Sequence, residues 1–136
     1  ADRRVLELPE LVIRELHRAE RAINAKRDFR LGPSPIHGTG VFSNRAYEPD
    51  EVVGRAISSL VDEGRGGIRR TLLGIYVNHR EVPNTRLEKS QDSDRYYLRA
   101  IRAIEPDAEI TMSYWDTPPF IAKPHQIDPV NFRRWR

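Results

Sequence analysis

The chain contains no cysteine. That absence excludes a disulfide framework and any metal site built on thiolates. No long apolar run is present, which excludes a membrane-spanning helix of the usual length. The first residues, A-D-R-R-V-L-E-L, lack the apolar stretch of a secretory signal. Nothing there marks the chain for export, and an intracellular setting is expected, with cytoplasm and nucleus not distinguished. Excess charge of one sign is small as well: 23 Lys and Arg stand against 20 Asp and Glu, a formal net charge of +3. Arginine dominates the basic residues and is spread along the chain, with a small cluster at Arg133, Arg134 and Arg136. Such a surface is either simply solvated or attractive to an acidic partner or nucleic acid. His17, His37 and His125 are scattered without an H-x-x-x-H pair, so no metal site is expected.

What is present suits one domain. The 136 residues are 38% hydrophobic and 32% charged, enough for one core under a polar surface. Residues 9 to 27 read as an amphipathic helix. Pro9 fits a first turn, and Val12, Leu16, Ala19 and Ile23 build one apolar stripe, expected to pack on the protein's own sheet. Glu10 precedes Arg14 by four residues on the polar face.

The texture then changes to short β segments. Phe29 to Leu31 and Gly40 to Ser43 flank a Gly/Pro/Ser loop, and Glu51 to Leu60 reads as a strand. Asp62 to Gly67 reads as a flexible connection, Ile68 to Val77 as a short helix, and Asn84 to Asp94 as a polar loop. Arg95 to Ile104 and Glu109 to Trp115 read as strands. Thr117 to Arg136 carries four prolines and is expected to wrap as an extended tail. The expected organisation is therefore residues 1–27 as an N-terminal helix, 28–116 as the main domain, and 117–136 as a tail packing on its site.

Three short motifs carry chemistry. Gly38-Thr39-Gly40-Val41-Phe42 is a G-x-G turn running into a strand. Glycine there lets backbone groups approach a ligand closely, although a lone G-x-G is more often a tight turn than a ligand site. Asn78-His79-Arg80-Glu81-Val82-Pro83-Asn84 follows, then Glu109-Ile110-Thr111-Met112-Ser113-Tyr114. Taken singly, these are ordinary turn and strand residues. Taken together and in order, they resemble the SET-domain family of protein lysine methyltransferases. Its pattern runs G-x-G-[VI]-[FY], then N-H-S-x-x-P-N, then E-[LI]-T-x-x-Y. The resemblance covers about residues 28 to 116.

The resemblance implies a mainly β chain with short helices. The fold would be the SET β-clip, several small sheets around a knot-like C-terminal segment, here preceded by the N-terminal helix. It implies S-adenosylmethionine as cofactor, held by Gly38, Thr39, Gly40, Asn78 and His79, with Trp115 beside it. Tyr114 takes the place of the family's catalytic tyrosine. Tyr76, Tyr96, Tyr97 and Met112 would wall a narrow channel for the lysine stem, where aromatic faces tolerate a cationic amine. The implied substrate is a protein carrying a lysine, histone-like or another basic protein.

Three departures from the pattern are visible. Arg80 stands where the family has Ser. Arg45-Ala46-Tyr47-Glu48-Pro49-Asp50 is echoed by Arg102-Ala103-Ile104-Glu105-Pro106-Asp107, and Asp50 and Asp107 stand where the family usually has turn glycines. Asp accepts a left-handed turn at modest cost, so both turns should survive. A Cys-rich zinc segment is missing, and Trp115, Phe120 and Phe132 are expected to supply aromatic cover instead.

The chemistry implied is in-line displacement from a sulfonium. A lysine amine attacks only when neutral, and its free pKa is about 10.4. A desolvating channel beside positive charge lowers that value, and a tyrosine hydroxyl can orient the amine. Two other functions fit less of the sequence. One is a SET-like module that binds cofactor or protein with weak or no catalysis. The other is a basic nucleic-acid-binding domain, which has no recognised motif here.

Overall fold

In the computed structural model, residues 9–59 and 68–135 are described. The expected connection over 62–67 lies outside them, as do Leu60 and Arg136. The N-terminal helix α1 spans Glu10–Arg27, with Glu10 in its first turn and Lys26 and Arg27 in its last, the order its dipole favours. Glu10 and Arg14 pair at 2.6 Å on its exposed face. The apolar stripe is only partly used. Val12 and Leu16 are half-buried, whereas Ala19 is exposed and Ile23 is 54% exposed. The C-terminal half of α1 docks by charge instead. The Glu20 carboxylate accepts the Leu72 backbone N–H at 2.7 Å and pairs with Arg69 at 2.7 Å.

Eight strands follow among the described residues: β1 (Phe29–Pro33), β2 (Thr39–Ser43), β3 (Val52–Ser59), β4 (Ile68–Arg70), β5 (Asn78–His79), β6 (Thr85–Lys89), β7 (Tyr96–Ala100) and β8 (Glu109–Met112). They form two four-stranded sheets, ordered β1-β2-β8-β5 and β4-β3-β7-β6. A short helix, α2 (Leu72–Tyr76), leads into β5. Thr71 caps it by accepting the Gly74 N–H. Between the sheets, Val41, Leu73, Val77, Leu98, Ile104 and Ile110 are all at most 2% exposed. Each such side chain stabilises the fold by about 1.5–3 kcal/mol relative to exposure.

Several boundaries differ from the sequence reading. Residues 68–70 join the sheet opposite β3, and only Leu72–Tyr76 is helical. Residues 85–89 are a strand, not loop. Thr85 is fully buried and Leu87 is half-buried, while Arg86 and Lys89 point to solvent. The strand's polarity belongs to its outer face, where Glu88 pairs with Arg86 and with Arg99 of β7. The strand expected over 109–115 ends at Met112, and that expected over 95–104 covers only Tyr96–Ala100. The tail is not extended throughout, since it contains α3 (Pro124–Ile127) and a 3-10 turn at Phe132–Arg134.

The two Asp turns hold. Asp50 has φ 75° and Asp107 has φ 69°, both left-handed. The two echoed segments also meet each other. Tyr47 and Ile104, at equivalent places in the echo, exchange both backbone hydrogen bonds at 2.8 and 2.9 Å.

Helix α2 sits directly on β3. A Cβ on Gly74 would lie 2.1 Å from the Ala56 carbonyl oxygen. We expect Gly74→Ala to push α2 off the sheet and lower unfolding stability by about 1–3 kcal/mol, read by urea denaturation. An unchanged midpoint would mean that the helix can shift freely.

Candidate active site

The site is built around β8. Strand β5 pairs with it in parallel, Asn78 opposite Thr111 and His79 opposite Met112. The chain then turns back at Pro83, and Asn84 lies along β8 from the other side. Asn84 Nδ2 donates to the Glu109 carbonyl at 2.8 Å, and its Oδ1 accepts the Thr111 N–H at 2.9 Å. Thr85 Oγ1 donates to the Thr111 carbonyl at 2.6 Å. The segment 78–85 thus clasps β8 between two edges.

Asn78 joins this clasp to the glycine loop. Its Nδ2 lies within hydrogen-bond distance of Ser34 Oγ at 3.1 Å, the His37 carbonyl at 3.0 Å and Glu109 Oε2 at 3.0 Å. Ser34 Oγ also donates to the Glu109 carboxylate at 2.8 Å. Gly38, with φ 45°, turns the loop, and Gly40 passes so close to Glu109 that a Cβ would lie 2.4 Å from Oε2. Ser34 and Glu109 are the polar residues to which sequence reasoning gave no role. Glu109 opens the third motif and was a visible signal; Ser34 was hidden in an ordinary loop.

The next residue carries the clasp toward the C-terminal turn. His79 is 8% exposed, and its Nδ1 accepts the Tyr114 backbone N–H at 2.9 Å. Its ring packs on Tyr114 at 5.3 Å and on Trp135 at 5.8 Å. Burial pushes its pKa below the ordinary value, against the attraction of Glu81. Tyr114 does not continue β8. It opens a 3-10 turn, Tyr114–Asp116, which Ser113 caps by accepting the Trp115 N–H. Its hydroxyl donates to the Val77 carbonyl at 2.7 Å. Burial raises the phenol pKa, opposed by Arg70 and assisted by Glu109, so the hydroxyl keeps its proton at neutral pH.

Beside Tyr114 lies a cavity of about 110 Å³. Ile57, Leu87 and Met112 line it from the sheets, Arg70, Gly74 and Ile75 from around α2, and Thr117, Ile121, Ala122 and Ile127 from the tail. Of the four residues expected to wall a channel, Met112 lines this cavity. Tyr76 packs half-buried against the core, Tyr96 meets Phe120 edge-on at 6.2 Å, and Tyr97 lies under the Arg55 guanidinium at 5.9 Å. None of these three tyrosines lines it. Trp115 is 47% exposed and stacks on His125 at 5.6 Å, with Phe132 edge-on at 5.9 Å. Lys123 fastens the tail, its Nζ donating to the carbonyls of Trp115 and Thr117. Nothing in the sequence pointed to that lysine. Among the described residues, no group of three His, Cys, Asp or Glu side chains is placed to hold a metal, and no helix is long and apolar enough to cross a membrane.

Residues 61–115 match the sequence model of the SET domain. The matched stretch holds Asn78, His79 and Tyr114, while Gly38–Gly40 precedes it. Among solved structures, this chain is similar to a Plasmodium falciparum protein assigned as a histone methyltransferase. Identity is 27%, TM-score 0.49, over 65% of this chain and 93% of that one. A second similarity is to a humanized mutant of the Chaetomium thermophilum Polycomb Repressive Complex 2 bound to the inhibitor GSK126, with 23% identity and TM-score 0.54. It covers 68% of this chain and only 15% of that one, and shows that the two share the SET fold. No curated protein matches the chain in sequence.

Proposed function

We propose that this chain is a SET-domain protein and an S-adenosylmethionine-dependent protein lysine N-methyltransferase. The observation that carries the reading is one connected set of contacts. Asn78 ties the glycine loop to Glu109, and His79, one residue on, holds the turn that bears Tyr114 beside an apolar cavity.

The residues fit the cofactor. The loop has open space at Gly38, where a Cβ would meet no atom within 4 Å. Its backbone is therefore approachable, and the buried Asn78 amide fixes its shape. Gly38, Thr39, Gly40, Asn78 and His79 would hold the group, with Trp115 at its edge. When bound, S-adenosylmethionine supplies a methyl group on a positively charged sulfur.

The remaining work falls to the chain's own residues. The aliphatic cavity walls exclude water from a lysine stem and favour the neutral amine. The Tyr114 hydroxyl donates its hydrogen bond to the Val77 carbonyl, which leaves its oxygen lone pairs to accept an amine N–H. That contact aims the amine, so the rate comes mainly from alignment and electrostatics. A lysine-bearing protein, histone-like or otherwise basic, is the proposed substrate.

Titrating the full chain with S-adenosylmethionine tests the first half of the reading. We expect micromolar binding and a rise in thermal stability of about 2.7 kcal/mol at a hundred times Kd. Asn78→Ala should weaken both by loosening the loop. Absence of heat and of any thermal shift at high ligand would reject the cofactor. Transfer of labelled methyl to histones or another basic protein tests the second half, and binding without transfer would leave a cofactor-binding module.

A further inference from the structure

We propose that His79 is a positioning residue that keeps Tyr114 in place only while its imidazole is neutral, so that acid releases the Tyr114 turn. The geometry fixes the tautomer. Nδ1 accepts the Tyr114 N–H at 2.9 Å, so it carries no proton, and the neutral ring holds its proton on Nε2. Protonating Nδ1 sets one N–H against another. The Tyr114 amide then loses its acceptor in a place where the ring is 8% exposed and water is scarce. Thr117 holds the Tyr114 carbonyl and Val77 its hydroxyl, whereas the Tyr114 N–H is held by His79.

The groups around the ring come from three elements. On its own segment stand Arg80, which is exposed, and Glu81, whose charge favours the protonated ring. From the C-terminal turn comes Tyr114, a phenol kept neutral by burial. From the tail comes Trp135, which does not titrate and is flanked in sequence by Arg134. Burial outweighs Glu81, so the neutral ring is the favoured form in the fold. A group whose pKa is depressed by folding contributes stability above its unfolded value, about 6.5 for His, and loses it as pH falls through the folded value. The window of the switch therefore lies below about pH 6.5.

Protein NMR on the full chain tests this without requiring any activity. The His79 ring and the Tyr114 amide should titrate with one shared midpoint below about pH 6.5, the amide proton moving upfield with acid as its hydrogen bond is lost. In His79→Asn, the side-chain oxygen takes the place of Nδ1 and does not titrate, so the Tyr114 amide should stay bonded throughout. A second readout rests on the transferase reading above. Deprotonation of the substrate lysine alone changes kcat/KM about tenfold per pH unit, and a second proton on His79 should steepen this to about a hundredfold below the His79 midpoint. His79→Asn should keep the shallow slope. A Tyr114 amide that ignores the His79 titration would overturn the proposal, as would a His79→Asn enzyme with the parent's steep acid limb. If no methyl transfer is found at all, the transferase reading fails, and the NMR titration decides the role of His79 by itself.

Discussion

Replacing Tyr114 with Phe should lower kcat for methyl transfer by about 10²–10³-fold, the usual range for losing one preorganised hydrogen-bonding group. Affinity for S-adenosylmethionine should hardly change. The variant keeps the ring that packs on His79 at 5.3 Å and on Trp135 at 6.2 Å, so the cavity wall persists. What disappears is one oxygen, the group proposed to aim the amine. The same deletion leaves the buried Val77 carbonyl without its donor, a cost of about 1–3 kcal/mol in stability. Kinetics should therefore be measured well below the variant's melting temperature. A fall in kcat and kcat/KM together marks an interaction made in the transition state. Turnover equal to the parent's would place catalysis on another residue.

Ending the chain after Asp116 should cost about a hundredfold or more in kcat/KM, because small misplacements at the reacting groups have effects of that size. The tail supplies Thr117, Ile121, Ala122 and Ile127 to the cavity, and Trp135 to the rings of His79 and Tyr114. Without them, water reaches the Tyr114 hydroxyl and the amine is no longer desolvated. Secondary structure should change little by circular dichroism, because both sheets are complete before residue 117 and the tail contributes only short helical turns. Lys123→Met isolates one part of the effect. It removes the ammonium that fastens the tail to the Trp115 and Thr117 carbonyls and keeps a stem of similar length. A truncated protein with the parent's kinetics and cofactor affinity would show the tail to be a passive terminus.

The site's inner residues were legible because each motif is contiguous in the chain. Asn78 and His79 are adjacent, and Pro83-Asn84 closes the same short turn that clasps β8. The left-handed turns at Asp50 and Asp107 were legible too, since a Pro-Asp pair carries its backbone preference locally. What escaped was set by partners distant in sequence. Strand β6 looks like a loop until Thr85 and Leu87 are seen facing inward while Glu88 meets Arg99 across the sheet. Ile68, Leu72, Leu73 and Tyr76 have a spacing that suits one helix over 68–77, and pairing of 68–70 with β3 overrides its first part. Tyr114 sits in a region of strand-forming residues, but the Ser113 hydroxyl caps a turn there instead. The cavity's tail wall has no periodic signal, because prolines and a lysine staple shape it rather than a repeating face.

The clasp around β8 also has a consequence in time. This strand is the last in sequence among the described residues, and it serves as neighbour to both β2 and β5. While a ribosome is still making the chain, the hairpin of β1 and β2 can close on itself, but β5 has nothing to pair with. Asn78 lacks Glu109, Asn84 lacks Thr111, and Val41 and Val77 lack the Ile110 side of their core. The contacts that Asn78, His79 and Asn84 make with Glu109, Tyr114 and Thr111 join segments far apart along the chain, and such topologies fold slowly. Until residues 109–112 are in place, a partly made chain carries an open sheet edge and exposed apolar side chains, the condition in which chains aggregate or need a chaperone. The enclosure that makes the site rigid once formed is also what delays its formation until residues 109–112 have been made.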